Sequence, residues 1–308
     1  MTDLSTRIRT LVLLFGAAAV GAGMAYMAAA GAPPRYMLVN LAALVLGATA
    51  WLALDRAGGA RLAKASGPVV LALAASLLLT AWFGLAIGGA ARWVSLGPLN
   101  LQVSLVALPV MLVLYARRPD RAGTAGMIVA AFALAVQPDR AMAGVMAGGL
   151  LGLLVSAPGR LPLAASAASV AAFGWTLLTP DRLPAVPYVD RILYTAFDVH
   201  PLAGLAVAAG AAGLGLPALL FALRAEDSRP ALLAFGGCWL AAVVAAALGD
   251  YPTPLVGYGG SAILGYLLSG ALLPAGTRAG ARGASGPRPV AGPGADGRTL
   301  KLCPGEVA

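Results

Sequence analysis

Apolar residues occur along the chain in runs of about 15 to 22, close to the number that spans a bilayer as a helix. Short segments with charged residues, prolines and glycines separate these runs. The alternating short strands typical of membrane β-barrels are absent from the pattern. The pattern therefore predicts an all-α polytopic membrane protein with about ten transmembrane helices. The predicted spans cover residues 10–30, 37–54, 67–89, 101–116, 123–137, 141–157, 161–179, 202–224, 230–249 and 255–274.

The fifth and sixth predicted spans are short, and only the segment Gln-Pro-Asp-Arg at 137–140 separates them. They are consistent either with two full spans or with a re-entrant pair. The N-terminal run follows Arg7 and Arg9 but shows no clear cleavage site, so it is predicted to be a first span instead of a removed signal.

Charge predicts the orientation of these spans. Only 11% of the residues are charged, against about 25% in soluble domains. If the N-terminus lies in the cytoplasm, five of the 21 Lys and Arg residues fall in outer segments, and all the others fall in inner segments. This asymmetry follows the positive-inside rule and predicts cytoplasmic N- and C-termini in a bacterial inner membrane. The five outer residues are Arg35, Arg92, Arg140, Arg182 and Arg191.

The net charge is +9, but the basic residues are scattered over short loops, which argues against nucleic-acid binding. Residues 1–274 are predicted to form the transmembrane helical bundle. Residues 275–308, rich in Gly, Ala, Pro and Arg, cannot bury a core and are predicted to form a disordered basic cytoplasmic tail. The chain has one histidine, His200, and two cysteines, and it shows no spacing typical of a metal site.

One stretch stands out, residues 252–261, with the sequence Pro-Thr-Pro-Leu-Val-Gly-Tyr-Gly-Gly-Ser. The prolines block a regular helix start, the glycines permit close backbone approach, and a helix is predicted to begin near Ser261. The stretch is consistent with a tight interhelical turn or with a polar pocket that protein or water must line. In the predicted topology it faces outward, together with Arg92-Trp93, residues 137–139 and the long loop 180–201. These segments predict an extracytoplasmic site ringed by loops.

The same segments carry a resemblance to a known family. Pro252, Pro254 and the run Tyr258-Gly259-Gly260-Ser261 resemble the Pro-x-Pro-Phe-x-Ser-Tyr-Gly-Gly-Ser signature of the SEDS family of shape, elongation, division and sporulation proteins (FtsW/RodA/SpoVE type). Residues 92–97, with Gln102 and Ser104 after them, are similar to that family's Arg-Trp-Ile-x-Leu-Gly…Gln-Pro-Ser-Glu. Residues 137–139 are similar to its Gln-Pro-Asp-Leu-Gly. The three matches occur in the family's order and span most of a chain that is shorter than a typical member.

The resemblance implies a peptidoglycan glycosyltransferase that polymerises lipid II for cell division or cell shape, with a class B penicillin-binding transpeptidase as partner. It implies a catalytic carboxylate on the outer loop before the eighth span, acting as general base on an acceptor sugar hydroxyl. Asp198 lies nearest the span along the chain, and Asp190 is the alternative, which could instead only pair with Arg191 or Arg182. The implied substrate-binding residues are Arg92, Trp93, Gln102, Gln137, Asp139, Tyr258, Gly259, Gly260 and Ser261. No cofactor is implied with certainty, although a divalent cation could offset the charge of the leaving diphosphate.

The chain departs from the family pattern inside the fourth span. The family has Glu and Lys where this chain has Leu105 and Leu108, and no clean match exists for the family's catalytic loop. A membrane bundle loses a polar element of its cavity when such groups are absent. A second hypothesis therefore stays open, in which the protein is a non-catalytic SEDS-like scaffold or a protein that binds or translocates lipid II.

Overall fold

The computed structural model describes residues 4–57, 62, 64–97, 99–180 and 183–274. The predicted tail, residues 275–308, lies outside this part of the chain. The described helices are α1 Leu4–Ala29, α2 Pro34–Ala57, α3 Ser66–Phe83, α4 Val103–Arg117, α5 Arg121–Val136, α6 Arg140–Ser156, α7 Arg160–Leu178, α8 Ile192–Val199, α9 Pro201–Ala212, α10 Leu216–Ala222, α11 Arg229–Leu248 and α12 Gly260–Ala271. A short 3-10 turn, Glu226–Ser228, precedes α11. The strands are β1 Leu85–Ile87, β2 Ala90–Leu96 and β3 Leu99–Gln102.

The predicted helical membrane fold is confirmed. Within the described ranges, six helices are long and apolar enough to cross a bilayer, with α9 and α10 counted as one, and four shorter apolar helices accompany them. These ten correspond one for one to the ten predicted spans. The chain is therefore a polytopic helical membrane protein. A short helix, α8, lies in the loop before the eighth span.

The structure differs from the predicted spans in three places. The third span was predicted to reach residue 89, but α3 ends at Phe83 and the chain then forms an antiparallel sheet in the order β1-β2-β3. Gly88 and Gly89 make the first turn of this sheet with φ of +58° and +86°, values that favour glycine. The eighth span breaks between α9 and α10. The last helix begins at Gly260, next to the predicted start near Ser261, although the predicted span opened at residue 255; residues 252–259 form the irregular segment that the prolines predict.

Helix α12 is the centre of the bundle and packs against α1, α2 and α4. Its Tyr266 is fully buried, contacts the rings of Phe235 and Trp239, and bonds the carbonyls of Val12 and Leu214, the latter in the break of the eighth span. Elsewhere small residues let helices approach closely. A Cβ at Gly152 of α6 would lie 2.3 Å from the Leu233 carbonyl of α11, so only glycine allows this contact.

Arginines hold the C-terminal end of α12. Arg117 donates to the Leu272 carbonyl at 2.7 Å, and Arg9 donates to the Ala271 carbonyl at 3.0 Å and pairs with Asp55. Cations at a helix C-terminus are stabilised by its exposed carbonyls and by the helix dipole. The N-terminal end of the same helix, at the opposite end of the bundle, opens into a cavity.

Candidate functional site

A cavity of about 800 Å³ lies at the N-terminal end of α12. Its walls come from α2, the three-stranded sheet, the start of α6, the loop before α8, and the segment between α11 and α12. The structure thus brings together segments from Leu38 to Leu264, which are 226 positions apart in the chain. Nine residues identified from the sequence line it, namely Arg92, Trp93, Gln102, Asp139, Asp190, Tyr258, Gly259, Gly260 and Ser261.

One wall is a buried polar network around Asp139. The Arg92 Nε lies 3.9 Å from Asp139 Oδ1, and the guanidinium also donates to the Pro138 carbonyl. The Ser104 hydroxyl donates to Asp139 Oδ2 at 2.9 Å, and the Gln102 amide donates to the same oxygen at 3.3 Å. Asp139 also caps α6, since its Oδ1 accepts from the Met142 N–H at 3.4 Å. The Asp139 carboxylate is therefore fully engaged.

The sheet connects this network to α12. Trp93 on β2 lies opposite Gln102 on β3 in the antiparallel register, so Arg92 and Trp93 are held beside the end of β3. The Gln102 backbone N–H donates to the Ser261 hydroxyl at 3.0 Å. Ser261 thus fixes β3 to the first turn of the central helix. The sequence predicted no sheet here, because the apolar run of the third span continues into β1.

The glycines at the start of α12 have distinct roles. Gly259 has φ of +155°, a backbone conformation that residues with a side chain rarely adopt. A Cβ at Gly260 would lie 3.1 Å from the Ala43 Cβ of α2, so the first turn of α12 packs tightly against α2. No side chain caps this helix terminus, and its first N–H groups face the end of the bundle that holds the cavity.

Asp190 lines the cavity and has a buried carboxylate. The residue is 7% exposed, its Oδ2 accepts from the Val186 N–H at 2.7 Å, and its Oδ1 has no hydrogen-bond partner among the described residues. Burial raises the pKa of the Asp190 carboxyl above its ordinary value, the Val186 N–H lowers it, and the Asp250 carboxylate raises it further. The net shift is upward. Asp190 thus has one carboxylate oxygen that no described residue bonds, and its raised pKa is a property that suits proton acceptance.

Two predicted site residues do not line the cavity. Gln137 is buried, and its amide donates to the Leu77 carbonyl at 2.6 Å, which ties the end of α5 to α3. Asp198 is exposed on α8. The predicted alternative for Asp190, an ion pair with Arg191, does not form, because Arg191 Nε pairs with Asp250 Oδ1 at 3.7 Å. Arg182 lies outside the described residues.

Sequence reasoning missed a polar residue of α2. Asn40 is fully buried and bonds two backbone groups of the segment before α12. Tyr36, one turn earlier, stacks on Tyr258 with ring centroids 3.9 Å apart. A single amide in an apolar span is the signal that could have identified Asn40, since polar groups inside a membrane are costly unless they bond to something.

The described residues contain no group of three or more His, Cys, Asp or Glu side chains that could hold a metal ion. Asp190 and Asp250 both line the cavity. Magnesium is commonly held by one or two carboxylates together with phosphate oxygens of the substrate. These residues therefore fit a cation that arrives with a diphosphate, but they do not form a closed metal site of their own.

Comparison with known proteins gives likenesses at the level of structure. No protein-family model matches the chain, and no curated protein matches it. The rod shape-determining protein RodA of Thermus thermophilus aligns with a TM-score of 0.63 and 23% identity, over 85% of this chain and 94% of that one. A variant of RodA gives a TM-score of 0.63 at 22% identity, over 85% of this chain and 95% of that one.

A third solved structure comes from a peptidoglycan synthase complex that coordinates polymerisation and crosslinking. It aligns with a TM-score of 0.60 and 23% identity, over 85% of this chain and 95% of that one. The likeness thus extends over nearly the whole of each of these proteins and is a likeness of fold. The chain has a RodA-like fold, in which the predicted loop segments meet at one cavity.

Proposed function

We propose that this protein is a SEDS-like peptidoglycan glycosyltransferase that polymerises lipid II at the outer face of the bacterial cytoplasmic membrane, during cell division or cell-shape maintenance. The observation that carries the proposal is the buried carboxylate of Asp190, with one oxygen that no described residue bonds, beside a cavity of about 800 Å³ in a RodA-like membrane bundle. A general base needs such a carboxylate in a partly dry cleft, with a pKa closer to the working pH than that of an exposed aspartate.

The cavity walls suit a substrate with a sugar head and a lipid chain. Trp93 and Tyr258 supply aromatic surface, and the network around Asp139 supplies polar groups. Leu38 and Leu46 of α2 also line the cavity, yet they are 64% and 60% exposed on the lipid-facing side of the bundle. The cavity therefore has an apolar margin continuous with the surface that faces the hydrocarbon. A lipid-linked donor and acceptor could enter from the bilayer through this margin.

In the proposed reaction the acceptor sugar hydroxyl attacks the anomeric carbon of the donor sugar. A glycosidic C–O bond forms, the bond between the anomeric carbon and the diphosphate oxygen breaks, and the lipid diphosphate leaves. The hydroxyl proton moves to Asp190 Oδ1, the oxygen without a hydrogen-bond partner among the described residues. Asp139 is the weaker candidate for this role, because Arg92, Ser104 and Gln102 already engage its carboxylate.

Charge balance leaves a place for a divalent cation. Among the described residues of the lining, the charged ones are Arg92, Asp139, Asp190 and Asp250, so three carboxylates face one guanidinium. A substrate diphosphate would add further negative charge. Asp250, 44% exposed, would hold a cation together with diphosphate oxygens, and such a cation would supply charge compensation for the leaving group.

The proposed partner is a class B penicillin-binding transpeptidase, which would crosslink the glycan as it forms. One of the similar solved structures comes from a peptidoglycan synthase complex that coordinates polymerisation and crosslinking, and this supports the partner class. The proposed orientation has cytoplasmic N- and C-termini, so that the cavity faces the cell wall. The separation of the cavity from the arginines that hold the other end of α12 supports this orientation.

A second candidate function has its own observation. Leu105, which stands where the family has a glutamate, lines the cavity, and Leu108, in place of the lysine, is fully buried in the bundle. Two charged groups of the family pattern are thus replaced by apolar ones. This favours a scaffold, or a protein that binds or translocates lipid II, that kept the cavity and lost the chemistry.

The deciding experiment incubates the purified protein with labelled lipid II, with and without the transpeptidase, and measures glycan length. The variant Ala42→Trp places an indole in the cavity wall, and Val45→Trp, on the lipid-facing surface of the same helix, is its matched control. Loss of glycan synthesis in Ala42→Trp, with normal synthesis in Val45→Trp, supports the hypothesis that the protein is a glycosyltransferase. Lipid II binding without elongation by the wild type supports the second candidate.

A further inference from the structure

Both polar atoms of the Asn40 amide form hydrogen bonds with one short segment of backbone. Asn40 is 0% exposed on α2. Its Nδ2 donates to the Gly257 carbonyl at 2.9 Å, and its Oδ1 accepts from the Gly259 N–H at 3.0 Å. A reversed amide would set N–H against N–H and carbonyl against carbonyl, so the partners fix its orientation. One side chain thus determines the spacing of two glycines that have no side chains of their own.

Neighbouring residues on the same face of α2 extend this contact. Tyr36, four residues before Asn40, stacks on Tyr258 with an interplanar angle of 13°. Ala43, three residues after Asn40, lies against Gly260. Residues spaced by three or four lie on one face of a helix. This face of α2 therefore covers residues 257–260, from the irregular segment to the first turn of α12.

The opposite side of the segment bonds to the loop that carries Asp190. The Tyr258 N–H donates to the Tyr188 carbonyl at 2.6 Å, and the Thr253 N–H donates to the Val189 carbonyl at 2.9 Å. The Ile192 N–H in turn donates to the Thr253 hydroxyl at 3.3 Å. Residues 188–192 are thus held to residues 253–258 by two backbone bonds and one bond to the Thr253 side chain. A continuous set of contacts leads from Asn40 to the residues on both sides of Asp190.

We propose that Asn40 is a positioning residue of the site. Its amide fixes residues 257–259, and through them the start of α12 and the loop that presents Asp190 to the cavity. Gly259 adopts its φ of +155° while its N–H is held by Asn40. The positioning itself is a property of the structure, whereas its effect on catalysis rests on the proposed function. Asn40 does not line the cavity, so it acts through the backbone and not by touching substrate.

The test is hydrogen exchange measured by mass spectrometry on the protein in lipid nanodiscs. The variant Asn40→Leu keeps a side chain of similar length and removes both hydrogen bonds. Exchange in residues 257–263 and 186–192 should become about three to ten times faster, the range expected for loss of one or two hydrogen bonds. Exchange in α6 should stay unchanged. Thr49→Val, which removes a hydroxyl that bonds only the Val45 carbonyl of its own helix, is the matched control on α2.

Faster exchange confined to these two segments supports the proposal. Unchanged exchange in them, or an equal increase along the whole chain, overturns it, because the second result would mean a general packing role. If Asn40→Leu does not accumulate, Tyr36→Leu removes the adjacent ring contact without leaving a buried polar group, and the same criterion applies to it.

Glycan synthesis by folded protein is the second measurement, because a residue with only a structural role would leave its kcat unchanged. In the lipid II assay, kcat per folded Asn40→Leu molecule should fall at least about tenfold, since small misplacements of reacting groups cost that much, while KM changes little. An unchanged kcat beside faster exchange would overturn the catalytic part of the proposal. If the wild type makes no glycan, the proposed function fails, and the exchange result still decides whether Asn40 positions these segments.

Discussion

Arg92 and Asp139 form an ion pair inside the bundle, with the guanidinium Nε 3.9 Å from the carboxylate Oδ1 and both side chains almost completely buried. One residue comes from β2 and the other from the turn before α6, so the pair joins the sheet to the helices. It belongs to the wall of the cavity and not to its surface rim. Removing one partner of a buried pair leaves an uncompensated charge, whereas removing both does not.

A double-mutant cycle should detect this coupling. For Arg92→Gln and Asp139→Asn, we expect a coupling free energy of about 0.5–3 kcal/mol in thermal or denaturant unfolding. The matched control is Arg191→Gln with Asp250→Asn, whose partners are 59% and 44% exposed, and there the coupling should be about 0–1 kcal/mol. Equal coupling in the two cycles would contradict the burial of the Arg92–Asp139 pair.

The first turn of α12 should not accept a large side chain. Gly260→Leu places new atoms against Ala43 of α2, and overpacking of this kind costs about 1–3 kcal/mol. We expect lower unfolding temperature or lower yield for this variant. Gly174→Leu, on α7 where an added Cβ meets nothing within 4 Å, should behave like the wild type. If Gly260→Leu matches the wild type in both level and activity, the segment is only a loose turn.

The proposed orientation is tested by cysteine accessibility. In a background that lacks the native Cys238 and Cys303, we expect Asp198→Cys to react with a membrane-impermeant reagent added to intact cells. Lys64→Cys, between the second and third spans, should react only after the cells are broken. Reaction at position 64 in intact cells would reject the ten-span topology with a cytoplasmic N-terminus.

The sequence predicted the spans because their length and hydrophobicity depend on local composition. It also predicted which segments meet, since the alternation of ten spans brings Arg92, Asp139 and Tyr258 to one end. It did not predict the sheet, because Leu85 and Ile87 continue the apolar run of α3 and hydrophobicity alone does not separate strand from helix. The contact of Asn40 with Gly257 joins residues 217 positions apart, which no local pattern encodes.

The choice between Asp190 and Asp198 as catalytic base also depends on tertiary contacts that the local sequence does not encode. Proximity to the eighth span along the chain favoured Asp198, which is exposed on α8. Arg191, with φ of +60°, turns the chain between Asp190 and α8. Asp190 is instead held by an isolated bridge to Pro252 and by the Val186 N–H, which set it against the cavity. Only the tertiary structure distinguishes the two carboxylates.

The pH dependence of glycan synthesis should reflect the raised pKa of Asp190. A general base works in its deprotonated form, so the rate should rise with pH through that pKa, above the value of about 4 for an ordinary aspartate. Asp190→Asn removes the titrating carboxyl, so the residual glycan synthesis of that variant should lose this acid limb. An acid limb that persists unchanged in Asp190→Asn would contradict the assignment.

The most direct test of the account compares Asp190→Asn with Asp198→Asn in the lipid II polymerisation assay with the transpeptidase present. Both changes replace a carboxylate by an amide of the same shape, and Asp198→Asn is the exposed control on the same loop. We predict that Asp190→Asn lowers glycan synthesis about 10²–10⁴-fold with normal folding, and that Asp198→Asn stays near the wild-type rate. Wild-type activity of Asp190→Asn, or a loss confined to Asp198→Asn, would contradict the claim that the cavity carboxylate is the base.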